Sequence, residues 1–236
     1  MLRKKSSLTG PRSFARRILD SLRRERRVSR EISRRLQSPL DIADAVPARG
    51  DPIAFDYGPS PLNIVNNGHT VQVNYAPGSG IAVSGRRYEL LQFHFHAPSE
   101  HSIAGRLAAM EMHLVHRNDA GQLAVVGVLL EIDSENSALR KIWAHMPEEK
   151  SPERKIDGVL IDAGDLLPAD TSYYRYMGSL TTPPCSEGVS WFVLAEPVAM
   201  GRAQLDKFTR TVGANNRPLQ ARNHRLLLAP GEARQE

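Results

Sequence analysis

The sequence predicts a mainly β domain of the α+β kind, built on a mostly antiparallel sheet. Three observations predict it. Short segments of alternating apolar and polar residues recur at close spacing from residue 37 onward. Only two stretches carry a helical pattern. Strands and helices do not alternate as the βαβ units of a parallel sheet require.

Taken in order, Thr70–Tyr75 alternates around Val71 and Val73. Tyr88–His96, Leu107–His116 and Gln122–Glu131 read as three strands separated by short loops, and Trp191–Leu194 is a fourth apolar run. Ser134–His145, entered by Ser134 and closed by Pro147, is predicted helical, as is the stretch from about Met200 to Val212. No internal repeat is present.

Composition narrows the function classes. Apolar residues at 41% and 17 glycines in 236 residues exclude global disorder and collagen-like repeats. No run approaches the roughly 18 apolar residues of a membrane-spanning helix. The single cysteine excludes an intrachain disulfide framework and a Cys-rich zinc site.

The formal charge of +5 is split along the chain. Residues 1–36 hold 13 Lys and Arg against 3 Asp and Glu; residues 37–236 hold 18 against 23. The chain therefore reads as an Arg-rich arm, 1–36, on a mildly acidic domain, 37–236. The domain gives no reason to expect a nucleic-acid partner. In the arm Phe14, Ile18, Leu19 and Leu22 fall near helical spacing. A solvated extension, a helix that binds nucleic acid or a membrane surface, and a targeting segment all fit that text. A secretory signal does not, because no apolar stretch follows the positive start.

The chemistry concentrates in the histidines. In Gln92-Phe93-His94-Phe95-His96, alternate side chains of a strand share a face. Gln92, His94 and His96 then point one way, and Phe93 and Phe95 anchor the other face in a core. On the next strand Glu111 and His113 share a face, and a short intervening loop makes the two strands antiparallel neighbours. A cross-strand imidazole then completes a three-histidine metal site, the catalytic zinc pattern that keeps a fourth position open. Gln92 and Glu111, each two residues before a histidine, are placed to accept its other N–H. His116 falls on the opposite face and is not expected to be a ligand. The pattern does not select a reaction: His94-x-His96-x3-Glu100 also resembles the first metal motif of cupins, but the PxG expected before the later histidine is absent.

The run Tyr173-Tyr174-Arg175-Tyr176-Met177-Gly178-Ser179-Leu180-Thr181-Thr182-Pro183-Pro184-Cys185 closely resembles the active-site segment of α-class carbonic anhydrases. Gln37-Ser38-Pro39, Asn66-Asn67-Gly68-His69, Phe93–His101, Glu111–His116 and Asn215-Asn216-Arg217-Pro218 match the same family in order. The resemblance implies a large central sheet with peripheral helices and one Zn2+ at the bottom of a cavity, held by His94, His96 and His113. It implies reversible hydration of CO2 to bicarbonate by zinc-bound hydroxide. Thr181 would donate to Glu100 and orient the hydroxide, and His69 would shuttle the proton. Val115, Val125, Leu180 and Trp191 would form the apolar wall for CO2, with Thr182 beside them. Asn67 and Gln72 would hold cavity water. His101 would be a buried structural histidine near Tyr176. Ser38–Pro39 and Pro183–Pro184 would be cis. A non-catalytic carbonic-anhydrase-like binding module and a cupin-type oxygenase are the alternatives.

Two family features have no match in residues 1–36: the opening Trp-x-Tyr segment, and the cysteine that many bacterial members pair with the position of Cys185. A shifted reading frame or misplaced start is therefore a further reading of the arm. The resemblance implies a periplasmic or secreted monomer or homodimer, although this chain shows no signal sequence.

Overall fold

The computed structural model describes residues 35–231. The readings of residues 1–34, including the helical spacing and the reading-frame question, lie outside the described residues. The strands are β1 (Asp41–Ile42), β2 (Val46–Ala48), β3 (Ala54–Asp56), β4 (Ser60–Asn66), β5 (Val71–Asn74), β6 (Gly80–Val83), β7 (Arg86–His96), β8 (Ser102–Ile103), β9 (Arg106–Leu107), β10 (Met110–Arg117), β11 (Leu123–Ile132), β12 (Arg154–Ile161), β13 (Tyr173–Ser179), β14 (Glu187–Leu194), β15 (Val198–Met200) and β16 (Leu228–Pro230). Among the described residues two α-helices, α1 (Ser137–Trp143) and α2 (Arg202–Val212), lie between these strands.

One large sheet runs β12-β4-β5-β7-β10-β11-β14-β13-β16-β2, with β15 beside β11 and the β3–β6 pair beside β7; β1, β8 and β9 form a small second sheet. The predicted antiparallel character holds across β4–β5–β7–β10–β11. The pairs β11–β14, β11–β15 and β16–β2 are parallel, so the sheet is mixed. Both ends of the large sheet are protected. Pro47 removes a donor in the middle of β2, and β12 is interrupted by a register shift between Ile156 and Leu160.

Alternation along the central strands sorts side chains into two cores. Phe93, Phe95, Met112, Leu114, Val126 and Val128 belong to the larger apolar cluster. Val115, Val125, Trp191 and Val193 belong to the smaller one, on the other face. Phe95 packs edge-on against Trp143 of α1 at 4.8 Å and lies 6.3 Å from Phe208 of α2, so both helices cover the larger core.

The helices are shorter than their sequence pattern. The structure starts α1 three residues after Ser134, because Asn136 is the cap: its Oδ1 accepts from Leu139 N at 3.0 Å. The N-terminus of α2 is linked to it through Gln204, whose Oε1 accepts from Gly201 N and Asn136 N and whose Nε2 donates to Asn136 O. Met200 ends β15 instead of starting the helix.

Both expected cis bonds are present, and Ala97–Pro98 is a third. His116 lies on the face away from His113, as expected. It is fully buried, with Nε2 2.8 Å from Tyr57 Oη and Nδ1 3.3 Å from Ala124 O. No helix among the described residues is long and apolar enough to cross a membrane.

Candidate metal centre

The antiparallel register sets His113 directly opposite His94 and Glu111 opposite His96. The side chains of His94, His96 and His113 converge, each offering one nitrogen within 4.8 Å of the others. Which nitrogen each offers follows from its other partner. His94 Nδ1 donates to Gln92 Oε1 at 2.9 Å, His96 Nδ1 to the Asn215 carbonyl at 3.3 Å, and His113 Nε2 to Glu111 Oε1 at 2.8 Å. Carbonyl and carboxylate oxygens only accept, so these nitrogens carry the protons. The lone pairs left are on His94 Nε2, His96 Nε2 and His113 Nδ1. His96 Nε2 is buried with no hydrogen-bond partner. A buried polar atom left so is costly unless a ligand satisfies it, and three imidazole nitrogens are a donor set that suits zinc. The residues fit the ion.

Electrostatics keep two of the three in the ligating form. Burial, together with the neighbouring His96 and His113, holds the His94 pKa well below the usual imidazole value. Burial and His113 bring His96 down to about 4. His113 behaves differently: burial lowers it, but the Glu111 carboxylate outweighs burial and raises it. Glu111 is itself buried, which opposes ionisation. The imidazoles of His101 and His113 outweigh that and hold its pKa well below the usual carboxylate value.

Glu111 is the hub behind the ligands. Its Oε1 accepts from both His113 Nε2 and His101 Nδ1, and its Oε2 accepts from the main-chain N–H groups of Glu100 and His101. His101 Nε2 lies 2.7 Å from Tyr176 Oη, which lies 2.8 Å from Ser38 Oγ. His101, Glu111 and His113 also cluster closely. Both nitrogens of His101 are engaged, so that trio is a support for His113 and not a second ion site.

His94 and His96 open onto a cavity of about 680 Å³, also lined by Asn67, His69, Gln72, Gln92, Glu100, Thr181, Thr182, Asn215 and Arg217 among others. His69 is exposed, and its carbonyl accepts from Asn215 Nδ2. Asn67 Oδ1 shapes the turn by accepting from His69 N and Thr70 N. Gln72 Nε2 donates to Asn74 Oδ1 at 2.6 Å.

One expected contact differs from what is seen. The Thr181–Glu100 hydrogen bond is not made. Glu100 Oε2 is buried without a partner, and Oε1 accepts from Arg217 N at 2.7 Å. Val115, Val125 and Trp191 are buried in the smaller apolar cluster, and Leu180 is partly buried against it. The register aligns Val115 with Val125 and Val125 with Trp191, so these three form a buried row in the smaller core, with Leu180 packed against it. The Trp191 ring meets the His113 ring at 4.8 Å and 77°, so the row packs against that ligand.

The sequence reading assigned no role to Asn215 and Arg217 individually. The only available signal was their place in the Asn-Asn-Arg-Pro run; their contacts lie 117 to 180 residues away in the chain.

The family model of eukaryotic-type carbonic anhydrases matches residues 26–230. The chain belongs to the α-carbonic anhydrase family. The match begins inside the segment read from sequence as the arm. A carbonic anhydrase of Nostoc sp. is 43% identical over 199 residues, 82% of this chain and 75% of that protein. One of Neisseria gonorrhoeae is 46% identical over 194 residues, 81% of this chain and 76% of that protein. The solved α-carbonic anhydrase of Thermovibrio ammonificans, in complex with the inhibitor sulfanilamide, superposes with a TM-score of 0.80 at 47% identity, covering 82% of this chain and 87% of that one. CO2 hydration is the function of carbonic anhydrases, and a member with this histidine arrangement is an enzyme of that kind.

Proposed function

We propose that this carbonic anhydrase hydrates CO2 reversibly to bicarbonate and a proton with one zinc ion held by His94 Nε2, His96 Nε2 and His113 Nδ1. The observation that carries the reading is the converging trio, in which each ligand's outer N–H is already engaged and its inner lone pair is free. Zinc in such a site acts as a Lewis acid that makes water nucleophilic near neutral pH, chemistry for which carbonic anhydrases are the standing example.

The chain's own residues supply orientation and proton movement. Gln92, Asn215 and Glu111 hold the tautomers and ring planes of the three ligands. The Glu100 carboxylate offers Oε2 as an acceptor. A rotation of the Thr181 side chain into range lets its hydroxyl donate there and leaves the hydroxyl oxygen to accept from the attacking water. That fixes the direction of the water's lone pair toward the carbon of CO2. Thr182 borders the same space. The released proton passes through cavity water near Asn67 and Gln72 to the imidazole of His69, whose exposure lets it pass the proton to bulk buffer.

CO2 hydration measured with zinc quantitation, on the parent and on His113→Ala, tests this. The parent is expected to bind one zinc and to be inhibited by sulfanilamide. The variant is expected to lose zinc and fall to the uncatalysed rate. A zinc-loaded parent no faster than His113→Ala rejects the reading.

A further inference from the structure

Glu100 and Thr181 border one cavity, yet neither holds the other. Glu100 and the turn that follows Thr181 are both tied to a pair of residues distant in the chain. Glu100 Oε1 takes the main-chain N–H of Arg217. The Arg217 guanidinium continues to Ser38 O at 2.7 Å from Nη1 and to Gln37 Oε1 at 3.0 Å from Nη2. Gln37 is buried and spends its other end on the turn after Thr181. Its Nε2 donates to Cys185 O at 3.2 Å and to Glu187 Oε1 at 2.9 Å.

The turn needs such a hold. Cys185 has a φ of 58°, the left-handed region that a residue with a side chain disfavours. Locally the turn is closed by Cys185 N to Thr182 O at 2.9 Å and by Leu180 N to Ser186 O at 2.9 Å. Neither bond reaches Glu100. The Gln37 amide links the two sides, because its ends bridge the turn and the arginine that carries Glu100's donor. The planar guanidinium fork makes two contacts at fixed angles, which a lysine cannot reproduce.

We propose that Gln37 and Arg217 form a clamp that positions Glu100 and the Thr181–Cys185 turn relative to each other. Both are positioning residues, and the inference rests on the carbonic anhydrase reading above. The clamp begins one residue past the first described backbone contact, Leu36 N to Glu187 Oε1, so the start of the domain is wired to the catalytic wall.

The single cysteine is a built-in reporter of the turn. Arg217→Ala and Gln37→Ala are each expected to speed the reaction of Cys185 with an aromatic disulfide by about tenfold, the equivalent of one hydrogen bond to a charged group. Zinc content is expected to stay at one per chain, and kcat to fall more than KM rises. The double variant is expected to match the singles, because both cut the same clamp. Arg217→Lys is expected to recover part of the loss, and Gln37→Glu to label like Gln37→Ala, since its carboxylate faces that of Glu187. Parent-like labelling and kcat in Gln37→Ala overturn the clamp, as do additive effects in the double variant or a fall in Tm with nothing else moved. An inactive parent rejects the carbonic anhydrase reading instead, and the labelling rates still decide the clamp.

Discussion

The two faces of β7 and β10 are built from alternate residues of the same strands and obey different rules. On one face Phe93, Phe95, Met112 and Leu114 are buried in an apolar cluster held by shape and area alone. On the other, His94, His96, Glu111 and His113 are equally buried, but each is held by a directional partner. Burial on the first face is favourable in itself. Burial on the second is costly until every donor and acceptor is matched. The ligand face can therefore be rigid without being apolar, and it owes that rigidity to Glu111 more than to any ligand.

The sharpest way to break this contrast is Glu111→Ala. It leaves the N–H groups of His101 and His113 and two main-chain donors buried without their acceptor. We expect a loss of about 3–5 kcal/mol in stability and a 10–100-fold weaker hold on zinc. Urea unfolding and competitive zinc titration measure both. Tight zinc binding in this variant would show that the ligand face is not held through Glu111.

Phe95→Ala makes a similar-sized hole on the other face. Its expected cost is also about 3–5 kcal/mol, but zinc affinity and turnover per folded molecule should stay near the parent's. A large loss of zinc affinity at full folding would mean that the two faces are mechanically coupled.

The smallest effect concerns His116, the one histidine of β10 on the apolar face. Burial keeps its pKa at about 3, against 6.5 for an ordinary imidazole, with partial compensation from the carbonyl of Ala124. The folded state then binds fewer protons than the unfolded chain between these values. His116 thus favours folding above about pH 6.5, and that contribution is lost as pH falls toward about 3. His116→Gln should flatten the fall of the urea midpoint with decreasing pH, at the cost of the contact with Tyr57. An unchanged slope would assign the acid sensitivity to other groups, such as His94 and His96 in the metal-free protein.

Much of the ligand set was readable in the chain because strand alternation is a local rule. Gln92, His94 and His96 fall on one face whatever surrounds them, and Glu111 and His113 repeat the pattern one hairpin later. His116 was assigned to the other face by the same rule. The helix starts were misread because Ser134 and Asn136 are both good caps. Only the packing of Gln204 against Asn136 selects the second.

The sequence by itself determined the alternating strands, the histidine trio, its two adjacent acceptors and the split between a basic arm and an acidic domain. These are consequences of composition and short-range periodicity. The tertiary structure alone decided which nitrogen of each histidine faces inward, that Asn215 and Arg217 complete the site, and that Gln37 reaches Cys185. Gln92 and Glu111 sit two residues from their histidines, but the contacts of Asn215, Arg217 and Gln37 join residues more than a hundred positions apart, and no local preference of the backbone encodes them. They exist because a buried donor must find an acceptor, and only the folded sheet determines which one is near.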